Sequence, residues 1–248
     1  MPDPLLAAIV MAVVCGVGGF AAPRLLRSIP EPVPAADDVQ PLEVPEAPAV
    51  PAVPAKEPYA AIAALPGLGW RLAIVSAAVG AGVGAAIGWH GTLAPWAYVV
   101  PLGVALGLVD WRTRLLPTWV IAPSYAVVVL LTFAASALTD DIDVVFRAAI
   151  GWAVMGGLYF LLWFVYPKGM GYGDVRLSGI LGIALGALGV PVVLVGAWLG
   201  FLFGGVGGLL LSRLGMTDRR ATPQGPFMVA GAVVGVLLAP AFLAGLGY

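Results

Sequence analysis

Charged residues are scarce in this sequence, and this scarcity excludes the ordinary soluble classes of protein. Asp, Glu, Lys and Arg make up 10% of the 248 residues, whereas 61% of the residues are hydrophobic. A typical soluble domain carries about 25% charged residues. The composition therefore predicts an integral membrane protein, and the formal net charge of −1 gives no reason to expect nucleic-acid binding.

Cysteine and histidine are almost absent, which removes two further kinds of site. Cys15 is the single cysteine and lies in the first apolar run, so we expect neither an internal disulfide nor a cysteine-based zinc site. His90 is the single histidine and precedes Gly91 in a predicted outer turn. Because that turn lies opposite the candidate acids described below, no Ser/His/Asp catalytic set is expected.

Long apolar runs take the place of charge and predict an all-α polytopic protein with about eight transmembrane helices. Arg24 and Arg27 follow the first run and do not precede it, so we expect this run to be a span and not a cleaved leader. A break at 189–191 is expected to divide the longest run into two spans. The predicted spans are 5–22, 72–89, 93–109, 118–138, 144–166, 177–190, 191–211 and 227–246.

The basic residues favour one orientation of these spans. With the N-terminus outside, segments 23–71, 110–117, 167–176 and 212–226 face the cytoplasm and contain eleven of the twelve Lys and Arg residues. Only Arg147 falls near the outer side. Cytoplasmic loops of membrane proteins carry an excess of Lys and Arg. The distribution therefore predicts that both termini lie outside.

Proline is concentrated between residues 28 and 58, in a segment that is also rich in Ala, Val and Glu. Proline interrupts helices and sheet ladders, so we expect this segment to be extended or disordered. We interpret it as a spacer, with a proline-rich partner site as the alternative. The sequence thus predicts a first transmembrane helix over 1–27, a Pro/Ala-rich cytoplasmic linker over 28–69 and a seven-helix membrane core over 70–248.

Two of the few acids lie at the ends of predicted spans. Asp110 ends one span, and Asp174 follows Gly171-Tyr172-Gly173 two spans later, which brings both acids to the cytoplasmic face in this topology. A carboxylate at a membrane edge is costly unless it has a function. Two close carboxylates that share a proton can activate water, which is the chemistry of an aspartyl protease.

Four segments of the chain resemble the prepilin leader peptidases, a family of Gly-x-Gly-Asp aspartyl proteases. Segment 165–177 contains the Gly-x-Gly-Asp motif, and segment 109–117 is similar to the family's first catalytic segment, in which Asp is followed by a loop and Leu-Pro. Segment 222–227 resembles the late Pro-x-Gly-Pro-Phe element, and Gly18-Gly19-Phe20 is similar to the first-helix pattern. Four matches in the same order are more specific than any one of them.

The resemblance implies an endopeptidase at the boundary of the prokaryotic cytoplasmic membrane, which removes the short basic leader of a prepilin or pseudopilin at the cytoplasmic face. It assigns catalysis to Asp110 and Asp174, and leaves open which of them is the base. The implied partners are the substrate helix and the lipid bilayer, and the oligomeric state is left open. The residues expected to bind substrate or support the site are Gly171, Gly173, Lys168, Arg176, Pro117, Pro223, Gly225, Pro226 and Phe227.

Residues 28–69 depart from the family pattern. Many family members carry a cytoplasmic domain there with paired Cys-x-x-Cys motifs, which are linked to metal binding and to N-methylation of the cleaved pilin. This chain has no cysteine in that region. We therefore expect no cofactor for proteolysis and no zinc or other metal, and the use of S-adenosylmethionine for N-methylation is left open.

Two other classes of function would use the same acids without proteolysis. A transporter with a carboxylate relay would place its charges near the middle of the membrane in broken helices, whereas Asp110 and Asp174 lie at an edge. A scaffold subunit of a pilus or secretion machine, with a decayed active site, would not need both acids. An assay of leader cleavage discriminates both alternatives from a peptidase.

Overall fold

The structure, a computed structural model, describes residues 3–31, 57–167, 170–214 and 223–245. Every regular element within these ranges is helical, which confirms the predicted all-α class. A π-helical turn at Trp152–Gly156 joins the sixth helix to the seventh. The helices are α1 (Pro4–Arg27), α2 (Tyr59–Ala63), α3 (Leu68–Ile87), α4 (Leu93–Thr113), α5 (Thr118–Thr139), α6 (Asp143–Gly151), α7 (Gly157–Val165), α8 (Tyr172–Gly186), α9 (Val190–Arg213) and α10 (Gly225–Gly245).

The length and composition of the helices identify a membrane protein. Within the described residues, α1, α3, α4, α5, the continuous α6–α7 segment and α9 are long and apolar enough to cross a bilayer. Helix α10 contributes a shorter apolar stretch, Gly225–Ala241, and α8 has 15 residues. Each apolar run of the sequence coincides with one of these eight helical segments. The side of the membrane that each end faces stays a prediction.

The longest apolar run is divided at the expected place. Helix α8 ends at Gly186 and α9 begins at Val190. Gly189 has a φ of +145°, a backbone conformation that side chains with a Cβ rarely adopt. Pro191 follows at the second position of α9, where its missing N–H leaves no helical hydrogen bond unmade. Glycine and proline together therefore end one helix and begin the next.

Helix α8 lies at the centre of the helix bundle. All residues from Leu177 to Gly186 are buried, and the helix packs against α4, α5, α6 and α10. A Cβ on Gly182 would lie 2.4 Å from the carbonyl oxygen of Gly151 in α6, so the two backbones are in direct contact. Helix α4 is fixed to α8 by Trp96, whose indole N–H donates to the Ala184 carbonyl at 3.2 Å. The first turn of α8 therefore belongs to a helix that is surrounded by the other helices of the bundle.

Helices α1 and α3 pack closely along their lengths, as the glycine-rich sequence of α3 predicts. A Cβ on Gly80 would lie 2.7 Å from the Met11 carbonyl oxygen, and one on Gly84 would lie 2.5 Å from that of Ala7. The glycines of α3 therefore form a packing surface for α1. The α1–α3 pair then packs against α4.

The two ends of the proline-rich segment meet at α2. Both carboxylate oxygens of Glu31 accept hydrogen bonds, from the backbone N–H groups of Tyr59 and Ala60, each at 2.9 Å. Tyr59 and Ile62 are buried in the hydrophobic core. Residues 57–69 are therefore packed against the bundle. Of the predicted spacer, 28–58, residues 32–56 lie outside the described residues.

Candidate active site

Asp110 lies in the last turn of α4, with only 4% of its surface exposed. Its Oδ2 accepts a hydrogen bond from the backbone N–H of Gly225 at 2.8 Å. Gly225 is the first residue of α10, whose N-terminal N–H groups have no partner within their own helix. A carboxylate at this end of a helix is also favoured by the helix dipole. The start of α10 therefore positions the Asp110 side chain.

Gly225 leaves no room for a side chain at this contact. A Cβ at this position would lie 2.9 Å from Oδ2 of Asp110 and 3.2 Å from its Cβ and Cγ. The next residue, Pro226, lies against Gly107, one turn before the aspartate, because a Cβ on Gly107 would be 3.6 Å from the Pro226 Cα. The Gly225-Pro226 step thus brings the backbones of α4 and α10 together around one carboxylate.

The rest of the late element fixes α10 to α9. Gln224 and Phe227 lie over two glycines of α9: a Cβ on Gly204 would be 2.5 Å from the Gln224 amide oxygen, and one on Gly207 would be 2.6 Å from the Phe227 ring. Pro223 is buried. Of the residues predicted to bind substrate or support the site, Gly225 contacts Asp110, and Pro223, Pro226 and Phe227 pack at the start of α10. Thr222 lies outside the described residues.

Asp174 lies in the first turn of α8 and is 7% exposed. Its Oδ2 accepts the backbone N–H of Gly171 at 3.2 Å, so the side chain caps its own helix. Its Oδ1 is buried and has no hydrogen-bond partner among the described residues. A buried oxygen without a partner is costly. This oxygen is therefore the free acceptor or proton carrier at the start of α8.

The glycines before Asp174 allow the α8 N-terminus to approach the loop after α4. A Cβ on Gly173 would lie 2.7 Å from the Cβ of Leu116, the residue before Pro117, which caps α5. Gly171 and Tyr172 are exposed, whereas Asp174 directly behind them is buried. The Gly-x-Gly segment therefore lies at the surface of the protein, directly in front of the buried side chain of Asp174.

The structure brings the two aspartates together. Helix α4 packs against α8, and the end of α4 and the start of α8 are close enough for the charge of Asp110 to act on Asp174. Two close carboxylates cannot both ionise cheaply, so such a pair holds one proton between them. The two acids predicted from span ends in the sequence thus lie near each other in the fold, at the end of α4 and the start of α8.

The neighbouring basic residues fall into separate roles. Arg114 has a left-handed backbone, with φ of 54°, and its charge acts on Asp110. Arg112 points the other way and forms a two-pronged pair with Glu57, at 2.6 and 2.9 Å. Arg176 donates to the Thr118 hydroxyl and lies 4.6 Å from the centre of the Tyr172 ring. Lys168 lies outside the described residues.

Two tyrosines beside the aspartates were not predicted from the sequence. The Tyr59 hydroxyl donates to the Leu115 carbonyl at 3.5 Å, and burial, followed by the charges of Glu31 and Asp110, raises the pKa of Tyr59. Tyr159 of α7 stacks on Phe201 at 4.7 Å and lies within the field of Asp174. Aromatic residues are common in hydrophobic cores, so the sequence does not distinguish a tyrosine near the site from a tyrosine of the core.

His90 and Cys15, the single histidine and the single cysteine, lie in other parts of the fold. The described residues contain no group of three or more His, Cys, Asp or Glu side chains that could hold a metal ion. His90 lies in the loop between α3 and α4, where its Nδ1 is 3.0 Å from the Thr92 hydroxyl. Cys15 is buried in α1.

Comparisons with known proteins identify the region that carries these acids. Residues 97–209 match the sequence model of the type IV leader peptidase family. The chain is 30% identical over 135 residues to the prepilin leader peptidase/N-methyltransferase of Escherichia coli K12, which covers 53% of this chain and 57% of that protein. It is 32% identical over 151 residues to the protein of the same name from Aeromonas hydrophila, which covers 60% of this chain and 50% of that protein.

The matches have a definite extent. The chain spans little more than half the length of these two relatives, and no solved structure matches it significantly. The family region includes both Asp110 and Asp174 and ends before the α10 N-terminus that binds Asp110. The comparisons confirm the resemblance seen in the sequence: residues 97–209 are similar to the type IV leader peptidase family.

Proposed function

We propose that this protein is a membrane aspartyl endopeptidase that removes the leader from type IV prepilin-like substrates. The observation that carries the proposal is a pair of buried carboxylates, Asp110 and Asp174. They lie at adjoining helix ends, and both are inside the segment that matches the family. The names of the two relatives support prepilin leaders as the substrate class. A transporter would need charges deeper in the bundle, and the pair lies at helix ends.

The proposed mechanism needs only the two carboxylates and water. The ionised aspartate takes a proton from a water molecule, which attacks the scissile carbonyl, while the protonated aspartate donates to the oxygen of that carbonyl. The aspartate that took the proton from water then gives it to the leaving amine, while the other aspartate takes a proton back from the gem-diol as the C–N bond breaks. No covalent intermediate forms. Oδ1 of Asp174 has no hydrogen-bond partner among the described residues. In Asp110 the N–H of Gly225 occupies Oδ2. Each carboxyl group therefore keeps one oxygen for the exchange of protons.

The proposed substrate approach uses the Gly-x-Gly edge. Gly171 and Tyr172 are exposed in front of Asp174, so an extended leader can lie against their backbone, close to the buried acid. Arg176 lies one turn further along the same helix and packs on the Tyr172 ring. Lys168, Pro117 and Gly173 complete the expected binding edge, of which Lys168 lies outside the described residues.

The proposed setting is the cytoplasmic face of a prokaryotic cytoplasmic membrane, with both termini outside. The distribution of Lys and Arg supports this orientation. We retain as proposals the first transmembrane helix 1–27, the linker 28–69 and the membrane core 70–248. N-methylation of the product is a separate proposal, supported by the names of the relatives, and it would need S-adenosylmethionine.

Co-expression with a candidate prepilin tests both activities. The intact mass of the recovered pilin should fall by the mass of the leader, and an additional methyl group would reveal N-methylation. Asp110→Asn and Asp174→Asn are the matched controls, because each keeps the size of the side chain and removes the acid. Unprocessed prepilin with the unaltered protein correctly inserted would contradict the peptidase and favour the scaffold or transporter.

A further inference from the structure

A second cavity lies between the end of α1 and the start of α3, apart from the aspartates. Its volume is about 260 Å³, and neither Asp110 nor Asp174 is among its lining residues. The side chains of Phe20, Arg24 and Arg27 form the α1 wall, and the loop before α3 forms the other wall. Nothing in the proposed proteolysis uses this cavity.

The α1 wall carries two positive charges that are not paired with an acid in the part of the chain that the structure describes. Within the described residues, neither Arg24 nor Arg27 forms an ion pair, whereas Arg112 and Arg147 are paired with carboxylates. The Arg24 guanidinium lies 5.7 Å from the centre of the Phe20 ring. Arg27 donates one N–H to a backbone carbonyl at 3.3 Å, which leaves the other donors of its planar fork free.

The same cavity has an aromatic, lipid-exposed rim. Trp70 is 67% exposed and Phe20 is 39% exposed, and their ring centres are 4.9 Å apart. Below them, the outer surface of α1 continues with exposed apolar residues, including Val13 and Val17. Tryptophan at the end of an apolar span is typical of the headgroup level of a membrane. The cavity thus joins a cationic pocket to an apolar surface.

From this arrangement we infer that the cavity binds an anionic phospholipid. The phosphate accepts charge-assisted hydrogen bonds from Arg24 and Arg27, and an acyl chain follows Phe20 along the outer surface of α1. The charge complementarity, the headgroup-level tryptophan and the apolar continuation together match a phospholipid better than a soluble anion, since only a lipid uses both halves. Basic pockets between membrane helices bind anionic headgroups for the same reason.

Arg24 offers the cleaner test, because its guanidinium lies over the Phe20 ring, whereas that of Arg27 also donates to the Ala63 carbonyl. The full-length protein in neutral detergent is titrated with phosphatidylglycerol, and bound lipid is measured by native mass spectrometry. Arg24→Gln should weaken binding by about fivefold, the contribution expected of one surface cation, and Arg24→Lys should retain most of it. Arg213→Gln is the matched control, because Arg213 ends α9 on the same predicted face and does not line the cavity.

Two outcomes would overturn the inference. Equal losses for Arg24→Gln and Arg213→Gln would mean that lipid senses only the general charge of the face. Displacement of the lipid by glycerol 3-phosphate at the same concentrations would show that the cavity binds a soluble phosphate. Phosphatidylcholine should bind more weakly than phosphatidylglycerol to the unaltered protein, and the difference in affinity between the two lipids should be smaller for Arg24→Gln, which retains Arg27. Melting temperatures in lipid-free detergent, expected to be equal for all variants, separate lost binding from lost folding.

Discussion

The two aspartate-bearing helix ends are built in opposite ways. Asp174 is held by its own neighbourhood, since its Oδ2 accepts the N–H of Gly171, three residues earlier. Asp110 is held from a distance, since its partner Gly225 lies 115 residues further along the chain. Asp174 lies at the start of a helix, and one of its buried oxygens has no hydrogen-bond partner among the described residues. Asp110 lies at the end of a helix and accepts a hydrogen bond from α10.

This difference separates local from tertiary positioning. The Gly-x-Gly-Asp turn can form as soon as α8 forms, because both the donor and the acceptor belong to it. The Asp110 side chain is fixed only after α10 has docked on α4 and α9 through Gly107, Gly204 and Gly207. The proposed catalytic pair is therefore complete only in the assembled bundle, even though one half of it is encoded in four consecutive residues.

The largest expected effect comes from removing either acid. Asp110→Asn and Asp174→Asn should each lower leader cleavage by at least about a thousandfold. The two acids act as a unit, so removing one of them costs about as much activity as removing both. Processing of a co-expressed prepilin in isolated membranes measures this, and expression and membrane insertion should be unchanged. Substantial cleavage by either variant would sink the shared-proton mechanism and leave the remaining acid to act alone.

The comparison itself is tested by a pair of glycine substitutions. Gly225→Ala would place a Cβ 2.9 Å from the Asp110 carboxylate, whereas Gly171→Ala would place one 3.4 Å from that of Asp174. Displacement of a catalytic group by about 1 Å can cost about a hundredfold in rate, so Gly225→Ala should lower turnover by about ten- to a hundredfold and Gly171→Ala by a few-fold.

Turnover numbers are read together with melting temperatures in the same detergent for this pair. A loss confined to turnover would place the effect at the carboxylate, and a loss of both would place it in the docking of α10. Equal turnover for the two variants would contradict the distinction between local and tertiary positioning.

The sequence predicted the parts of this site that depend on neighbours in the chain. The apolar runs gave the helices, Gly189 and Pro191 marked the division of the longest run, and the turn before Asp174 was read directly. The pairing of Asp110 with Asp174 followed from counting spans between them. These features depend on spacing and backbone preference, which a single sequence contains.

The contacts made by assembly could not be read in the same way. The N–H of Gly225 reaches Asp110 only because α10 returns to α4, and Glu31 meets Tyr59 across the proline-rich segment. The π-helical turn at Trp152–Gly156 lies within a continuous apolar run. Each depends on which helices pack together, and no short-range pattern records that.

A smaller effect is expected at the ion pair beside α4. Glu57→Gln removes the two-pronged contact with Arg112, two residues after Asp110. Both side chains are about one-third exposed, so the contribution to stability is small, and turnover should fall by no more than about fivefold through a less rigid α4 end.

Asp141→Asn provides the matched control for this pair. It breaks the other ion pair of the described residues, with Arg147 at 2.8 Å, at the loop between α5 and α6. A hydrogen bond from Arg147 lowers the pKa of Asp141, but neither residue contacts the aspartate pair. Turnover should be unchanged in Asp141→Asn, and equal losses in the two variants would indicate a general response to lost surface charge.

The smallest effect is expected from shortening the proline-rich segment. The carboxylate of Glu31 already lies 2.9 Å from the backbone of Tyr59, so the two ends of the segment are adjacent, and a shorter closed loop has a lower entropic cost. Replacing residues 33–55 by a short Gly/Ser linker that keeps Glu31 and Glu57 should leave turnover within a few-fold. Extending the deletion to 31–55 removes the Glu31 contacts with α2 and should cost more. Complete loss of processing by the shorter deletion, with normal expression, would identify the segment as a substrate-binding or assembly element and not as a spacer.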